Sequence, residues 1–452
     1  MKEVFKSAEE AVKYVATVPP AQGSTMQGVP FDKKDTVRLA FVGVGGRGHG
    51  LLGEMLACDG AKVVAVSDPS EANRVRAKER VEKAGQATPA MEADWKKVCE
   101  RDDVDLVYIA SPWEFHTPQA VYAMEHGKHA AVEVPAATTL AECWKLVDTS
   151  ERTRKHCVML ENCCYGQTEL MALNMVRAGV FGTITHGEAA YIHELRGLLL
   201  SNAGEGMWRR EPHKNRLGNL YPTHGLGPVA WYMNVHRGDR FTKLVSMSSL
   251  SAALDEYRDA TVPTDDPKRK EKYTCGDMNS SLIQTARGRT ILLQHDVVTP
   301  RPYSRLNLIQ GSKGTLCDYP ARVYIDGGHS GKHEWRPLDE LKSQYEHSFW
   351  QKYGELAKKI GGHGGVDYIM NYRLVQTMRE GLPPDMDCYD AAAWSAPGPL
   401  SDISVANGNL TLPYPDFTRG HWQESEAGKE WNHRLCDKIS IVRIPAGTPM
   451  PK

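Results

Sequence analysis

Five short apolar runs alternate with helical stretches over residues 37–161: VRLAFVGV, KVVAVSD, VDLVYIAS, HAAVEVP and HCVMLEN. Nearly continuous apolar strands belong to a parallel sheet covered on both faces, and the stretches between them supply the crossovers of βαβ units. After Gly166 the runs lengthen and alternate, as in ITHGEAAYIHEL, SLIQTARGRTILLQHDVV and SRLNLIQGSKGTLCDYP. Ala-Arg-Gly-Arg-Thr and Gly-Ser-Lys-Gly stand as turns between apolar runs, which predicts an antiparallel sheet. A later stretch, DYIMNYRLVQTMREG, has helical spacing and a stop at Gly381, ahead of Pro383 and Pro384. The fold class is therefore α/β: a parallel-sheet domain followed by an α+β domain with an open, mostly antiparallel sheet. The expected division is a helix and linker over 1–34, a dinucleotide-type domain over 35–165, and a substrate-binding and oligomerisation domain over 166–452. The late segment of the last part is free to pack back on the first domain.

The length of 452 residues agrees with two domains, since single cores stop growing at roughly 250–300 residues. Net charge is -1, so no global field draws the chain to nucleic acid or to an anionic membrane. No stretch reaches the ~18 uncharged apolar residues of a membrane span. The start, MKEVFKSAEEAVKYVATVPPAQG, lacks the apolar run of a signal peptide. The expectation is a cytoplasmic protein as written, or a periplasmic or secreted one if an export signal has been removed. The 10 cysteines are scattered without a Cys-x-x-Cys pair, which fits reduced, buried thiols. No metal is expected, and His363 in GGHGG reads as part of a loop before a helix.

Candidate chemistry begins at VRLAFVGVGGRGHGLLGEML, where Gly43, Gly45 and Gly48 follow an apolar strand and open a helix. Glycines there allow a tight turn, and the helix start offers free N–H groups to a pyrophosphate. Gly46 and Arg47 lie in the same turn, Arg47 as a charge for the phosphate. Asp68 ends the next strand, 20 residues beyond Gly48, at the spacing of the acid that binds the adenosine ribose and disfavours a 2'-phosphate. NAD is thus favoured over NADP. Trp113, Glu114, Phe115 and His116 follow Ser111-Pro112 at the carboxyl end of the third apolar strand, where such ligands run. His116 reads equally as a contact or as a packing residue. Glu133 and Asn162 end the next two strands on the same edge.

With those residues in place, the chain resembles the Gfo/Idh/MocA family of nicotinamide-dependent enzymes, through the glycine turn, Ser111-Pro112 with His116, and Gly127-Lys128-His129 leading to Glu133-x-Pro135. The resemblance implies a Rossmann domain and a second domain whose sheet presents the substrate pocket. In family dehydrogenases a lysine between the Glu and the Pro handles the proton of the oxidised hydroxyl; here Val134 stands there and cannot. EVPAA, MLENCCYG, GEGMWRRE and NLYPTHGLGP are similar to glycoside hydrolase family 109, the NAD-dependent α-N-acetylgalactosaminidases. That resemblance implies tightly bound NAD, regenerated at each turnover. Hydride leaves C3 of the sugar, the C2 hydrogen becomes acidic, the C1 substituent is eliminated, water adds and the hydride returns.

Carried over by motif, Gly46, Arg47, Asp68, Trp113 to His116, Glu133, Val134 and Asn162 match NAD contacts. Tyr191, Arg209 (or Arg210), Tyr221, Pro222, Thr223, His224 and Tyr303 match substrate contacts. His224, beside Tyr221 and bracketed by Pro222 and Gly225, suits the proton of the C3 hydroxyl. Tyr165 is a candidate base at C2 or C1 or a core residue, and Glu133 could act at C1 instead. Aromatic faces such as Tyr303 and Trp208 suit a pyranose, though Trp208 reads first as packing. The expected partner is a glycan or small molecule ending in N-acetylgalactosamine, and a homodimer or homotetramer is expected. Two other readings keep the same fold: a net sugar or cyclitol dehydrogenase, and a non-catalytic NAD-binding protein.

Overall fold

The computed structural model describes residues 5–327 and 330–435. Six parallel strands form the first sheet: β1 (Val37–Val42), β2 (Ala61–Ser67), β3 (Ala90–Glu92), β4 (Leu106–Ile109), β5 (His129–Val132) and β6 (Cys157–Met159). Their order is β3-β2-β1-β4-β5-β6, which sets β1 and β4 at the centre, where both faces are covered. The apolar runs read from the sequence are these strands, and β3 is the addition. Helices α1 (Ala8–Ala16), α2 (Gly46–Leu56), α3 (Trp113–Glu125) and α4 (Leu140–Thr153) follow in chain order. The loops into α2 and α3 leave the carboxyl ends of β1 and β4, so both helices start over the same edge of the sheet.

The second sheet has nine strands: β7 (Ile184–Ile192), β8 (Phe241–Ser248), β9 (Asn279–Thr285), β10 (Thr290–Asp296), β11 (Leu308–Gly311), β12 (Gly314–Cys317), β13 (Arg322–Ile325), β14 (Arg336–Pro337) and β15 (Leu412–Pro413). The order is β14-β13-β12-β11-β7-β10-β9-β8-β15, antiparallel except for the parallel pair β7 and β10 in the middle. Helix α5 (Thr223–Tyr232) is apolar on almost every side and buried against β7. It comes so close that a Cβ on Gly225 would stand 2.3 Å from the Ala190 amide nitrogen. That approach fixes the start of α5, and with it His224, relative to the end of β7.

The two sheets share one core. Helix α6 (Val366–Glu380), far along the chain, lies on α2 and β1, and Tyr108 of β4 donates to Asn371 Oδ1 at 2.8 Å. Helices α7 (Cys388–Ser395) and α8 (Pro397–Ala406) follow, α7 packing on α4. The N-terminal arm is pinned by the same region. Met26 donates its amide to Tyr389 Oη at 2.9 Å, and Phe31 donates its own to Leu382 O at 3.1 Å. Among the described residues, no helix is long and apolar enough to cross a membrane.

Candidate active site

The glycine turn does two jobs. Gly43 has φ +81°, and a Cβ there would press on Ser111 N at 2.7 Å; one on Gly48 would lie 1.9 Å from Gly43 O. Those two glycines serve the packing of helix on strand. At Gly46 a Cβ would meet nothing within 4 Å, and Gly45 caps α2 without any side-chain hydrogen bond. The first-turn amides therefore face open space with the positive end of the helix behind them, as a pyrophosphate requires. Beside them Asp68 is held by three donors: Val44 N at 3.0 Å, Ser70 N at 2.9 Å and Asn73 Nδ2 at 3.1 Å. These residues fit a dinucleotide, with its phosphates over Gly45 and Gly46 and an adenosine ribose at Asp68.

Arg47 corrects the expectation of a phosphate-binding charge. Its guanidinium grips Asp367 at 2.6 and 3.0 Å and Glu133 Oε1 at 3.0 Å through Nε. Asn162 donates Nδ2 to the same Asp367 at 2.6 Å. Two strand-end residues and the glycine turn are thus tied to α6 through one buried carboxylate. Burial alone would push Asp367 up, but hydrogen bonds from His363 and Arg47 hold it well below the usual carboxylate range. His116 is buried, with Nδ1 at 2.8 Å from Pro135 O and Nε2 at 2.7 Å from Ser111 O. Of its two readings the structure has the packing one: the ring locks the loops after β4 and β5 together. Val134 is buried beside them, while Glu114 and Phe115 stand exposed on the first turn of α3.

Trp113 turns its ring toward the second domain, 5.5 Å from Tyr221 and 5.1 Å from Trp208. Tyr221 in turn packs 4.7 Å from Tyr191 and 4.9 Å from His224. The Arg209 guanidinium lies over this cluster, 4.9 Å from the Tyr221 ring and 5.2 Å from that of Trp113, anchored to Glu205 at 2.6 Å. Arg210 faces away, bonded to Glu271 and to the carbonyls of Leu199 and Gly206. Arg209 is therefore the arginine of the pocket. Tyr303 is partly exposed and accepts from Arg305 at 3.0 Å, its ring 4.9 Å from His193. Pro222 and Thr223 form the start of α5 and carry His224 into place.

Two histidines bring opposite chemistry to the cluster. His224 donates Nδ1–H to Glu161 Oε1 at 2.7 Å, and Glu161 has no exposed surface. Burial alone would raise the Glu161 carboxyl, but His224, with the Thr223 hydroxyl and the Cys163 amide, brings it below its ordinary value. A carboxylate that fixes Nδ1–H leaves Nε2 as a proton acceptor. Tyr191 accepts from Arg209 Nη2 at 3.4 Å and its hydroxyl shares a hydrogen bond with His193 Nδ1 at 2.8 Å. Burial, followed by Arg209, holds this imidazole below its ordinary pKa and therefore neutral at pH 7. Burial likewise keeps the Tyr221 phenol protonated despite Arg209.

Glu161, His193, Glu205 and Asp367 were not singled out in the sequence. Glu161 had the clearest signal, as the neighbour of Asn162 at a strand end. With Cys163 and His224 it forms a group of donor atoms within 4.8 Å of one another. Here Nδ1 and Oε1 are joined directly by a 2.7 Å hydrogen bond, and burial pushes the Cys163 thiol well up. Tyr165 has two readings, base or core. It is buried against Trp231, its hydroxyl donates to Asp385 at 3.2 Å, and burial with Asp385 raises its phenol well above the usual value. Of its two readings the structure has the core one.

Residues 37–161 match the model of the oxidoreductase family with an NAD-binding Rossmann fold, and residues 165–424 match that of the glycosyl hydrolase 109 C-terminal domain. The chain belongs to glycosyl hydrolase family 109. A family 109 protein of Solibacter usitatus is 54% identical over 411 residues, covering 89% of this chain and 93% of its own length. One from Saccharopolyspora erythraea is 50% identical over 416 residues, covering 91% and 90%. Among solved structures, a levoglucosan dehydrogenase in complex with NADH superposes with TM-score 0.66 at 17% identity, over 84% of this chain and 100% of that one. An oxidoreductase domain protein from Kribbella flavida gives 0.67 at 19%, over 85% and 100%. The family 109 chain therefore has the Gfo/Idh/MocA fold, as its motifs led one to expect.

Proposed function

We propose that this chain is a glycosidase that removes terminal N-acetylgalactosamine with NAD held in place and no net oxidation. The observation that carries the reading is the Glu161–His224 pair: a base with its accepting nitrogen uncommitted, beside Tyr191 and Tyr221, in a chain that has Val134 where family dehydrogenases have a lysine. Bound NAD supplies reversible hydride transfer at C3 of the sugar. His224 Nε2 takes the C3 hydroxyl proton, and Glu161 stabilises the imidazolium that forms. With C3 a carbonyl, the C2 hydrogen is acidic; its proton passes to the C1 oxygen, which leaves as the alcohol, and water then adds across the C1–C2 double bond, hydroxyl to C1 and proton to C2, before the hydride returns to C3 and His224 returns its proton to the C3 oxygen. The neutral His193 ring and the Tyr221 phenol hydrogen-bond sugar oxygens, and Arg209 favours negative charge as it develops. Tyr191 and Tyr303 offer faces to the apolar side of the ring.

The test is to incubate the purified protein with p-nitrophenyl α-N-acetylgalactosaminide, with and without added NAD, and to record nitrophenol and NADH together. Nitrophenol release without NADH build-up is expected. Growth of NADH on a free sugar, with no release from either anomer, would return the chain to the dehydrogenases. We also propose that the open face of the second sheet, where Met247 and Leu282 are 59% and 53% exposed, is covered by another copy of the chain. Light scattering should give two or four chains, and Leu282→Lys should give one.

A further inference from the structure

Tyr303 reaches the site on a strained turn of the chain. Ile192 and Ser304 exchange amide–carbonyl bonds of 3.0 Å, and Ala190 donates its amide to Arg305 O at 2.8 Å, so residues 304 and 305 are seated on the end of β7. Leu306 and Asn307 then take φ of +58° and +47°, a conformation that a Cβ makes costly. Such strain persists where the surroundings over-determine it, and it gathers at functional sites. Tyr232 of α5 holds the turn through its hydroxyl, which donates to Asn307 Oδ1 at 3.0 Å. The same two elements, β7 and α5, carry Tyr191 and His224.

The Arg305 guanidinium makes two contacts and forgoes a third. Its Nη2 donates to Glu169 Oε1, on the first turn of the helix Gln167–Arg177. Its Nη1 donates to Tyr303 Oη at 3.0 Å, with the guanidinium carbon 5.8 Å from the Tyr303 ring and 5.7 Å from that of Tyr319. Its Nε is buried without a partner. Glu169 is buried, and Gly166 gives its carboxylate room: a Cβ there would stand 1.9 Å from Glu169 Oε2. A buried ion pair adds little stability over an apolar pair of the same volume, and an unpartnered buried donor is a cost. What the arrangement secures is the Tyr303 hydroxyl. A phenol is protonated at neutral pH, and with Arg305 filling one acceptor position its proton points away from the guanidinium. Among the described residues that proton has no acceptor.

We propose that Glu169 and Arg305 are positioning residues for the substrate: they fix the Tyr303 hydroxyl as a donor to an acceptor oxygen of the sugar. The inference rests on the glycosidase reading, and its test separates the two. In the NAD-loaded protein, KM for p-nitrophenyl α-N-acetylgalactosaminide and the calorimetric Kd for free N-acetylgalactosamine are measured side by side. Tyr303→Phe should raise both roughly five- to tenfold, the worth of one hydrogen bond, with kcat little changed. Glu169→Leu with Arg305→Met removes both charges at similar volume, and should do the same while Tm stays within a few degrees of wild type. Arg305→Lys keeps the charge beside Glu169 but lacks the planar fork that bridges two partners, and should give the same rise. Added to Tyr303→Phe, neither change should raise KM or Kd further. A rise that adds to that of Tyr303→Phe, or no rise in a folded variant, would overturn the positioning role alone. Sugar binding that follows the expected pattern with no glycoside cleaved would keep that role and sink the hydrolytic reading, and a wild type that binds no sugar would overturn both.

Discussion

Glu161 shows how a site residue escapes a reading of sequence. Its partner His224 lies 63 positions away, and nothing in either local pattern pairs them. Glu161→Gln keeps the shape and removes the charge that fixes the His224 tautomer. It should lower kcat of order 10⁴-fold with KM changed little, by analogy with a triad carboxylate, and His224→Ala combined with it should cost little more than His224→Ala alone. Steady-state kinetics on the three variants checks both statements. Gly43, Gly45, Gly48 and Asp68 were legible because the backbone itself demands them: a tight turn, an open helix start and a carboxylate at a strand end follow from spacing. Tyr165 was not, since a tyrosine beside a strand end has the same sequence signature whether its hydroxyl faces a cleft or a buried Asp385.

Between elements, the contact of α2 with α6 sets a pH dependence. Glu54 of α2 is buried against the loop before α6, and burial, with Asp367 nearby, pushes its carboxyl up to about 7. The unfolded value is about 4.3, so between these limits the native state binds more protons and stability falls as pH rises. Glu54→Gln removes that slope. Urea unfolding should find the variant more stable than wild type at pH 8, by of order 1–3 kcal/mol, and not at pH 4. Asp367 acts the opposite way: its depressed pKa gives stability that is complete above about 4 and is lost in stronger acid. Asp367→Asn leaves Arg47 with one carboxylate and should cost roughly 3–5 kcal/mol, read in the same experiment. The sequence announced α6 and its stop at Gly381 through periodicity. It was silent on Asp367, because helical spacing fixes the buried face of a helix but not the element it meets.

For the molecule as a whole, the first sheet was readable almost strand by strand, since a strand buried on both faces must be apolar throughout. The second was readable only where hairpins carry their own turns: β9 with β10, and β11 with β12. Strand β8 pairs across a long connection, and β13 to β15 are too short to alternate visibly. The cofactor couples to this whole. If NAD binds only the folded chain, a hundredfold excess over Kd adds about 2.7 kcal/mol and raises Tm, while NADP should add little because Asp68 opposes a 2'-phosphate. A thermal scan with each nucleotide, repeated on Asp68→Ser, checks the assignment: the variant should narrow the difference between them.

Helix α6 also orders events during synthesis. The first sheet is complete in the chain at Met159, but the helix that covers β1 and α2 ends at Glu380, about 220 residues later. At roughly 5–20 residues per second, the unfinished face waits some 10–45 s on the ribosome for its lid. A nascent chain stalled short of Val366 should therefore be cut by protease within the first domain, and one stalled well beyond Gly381 should resist.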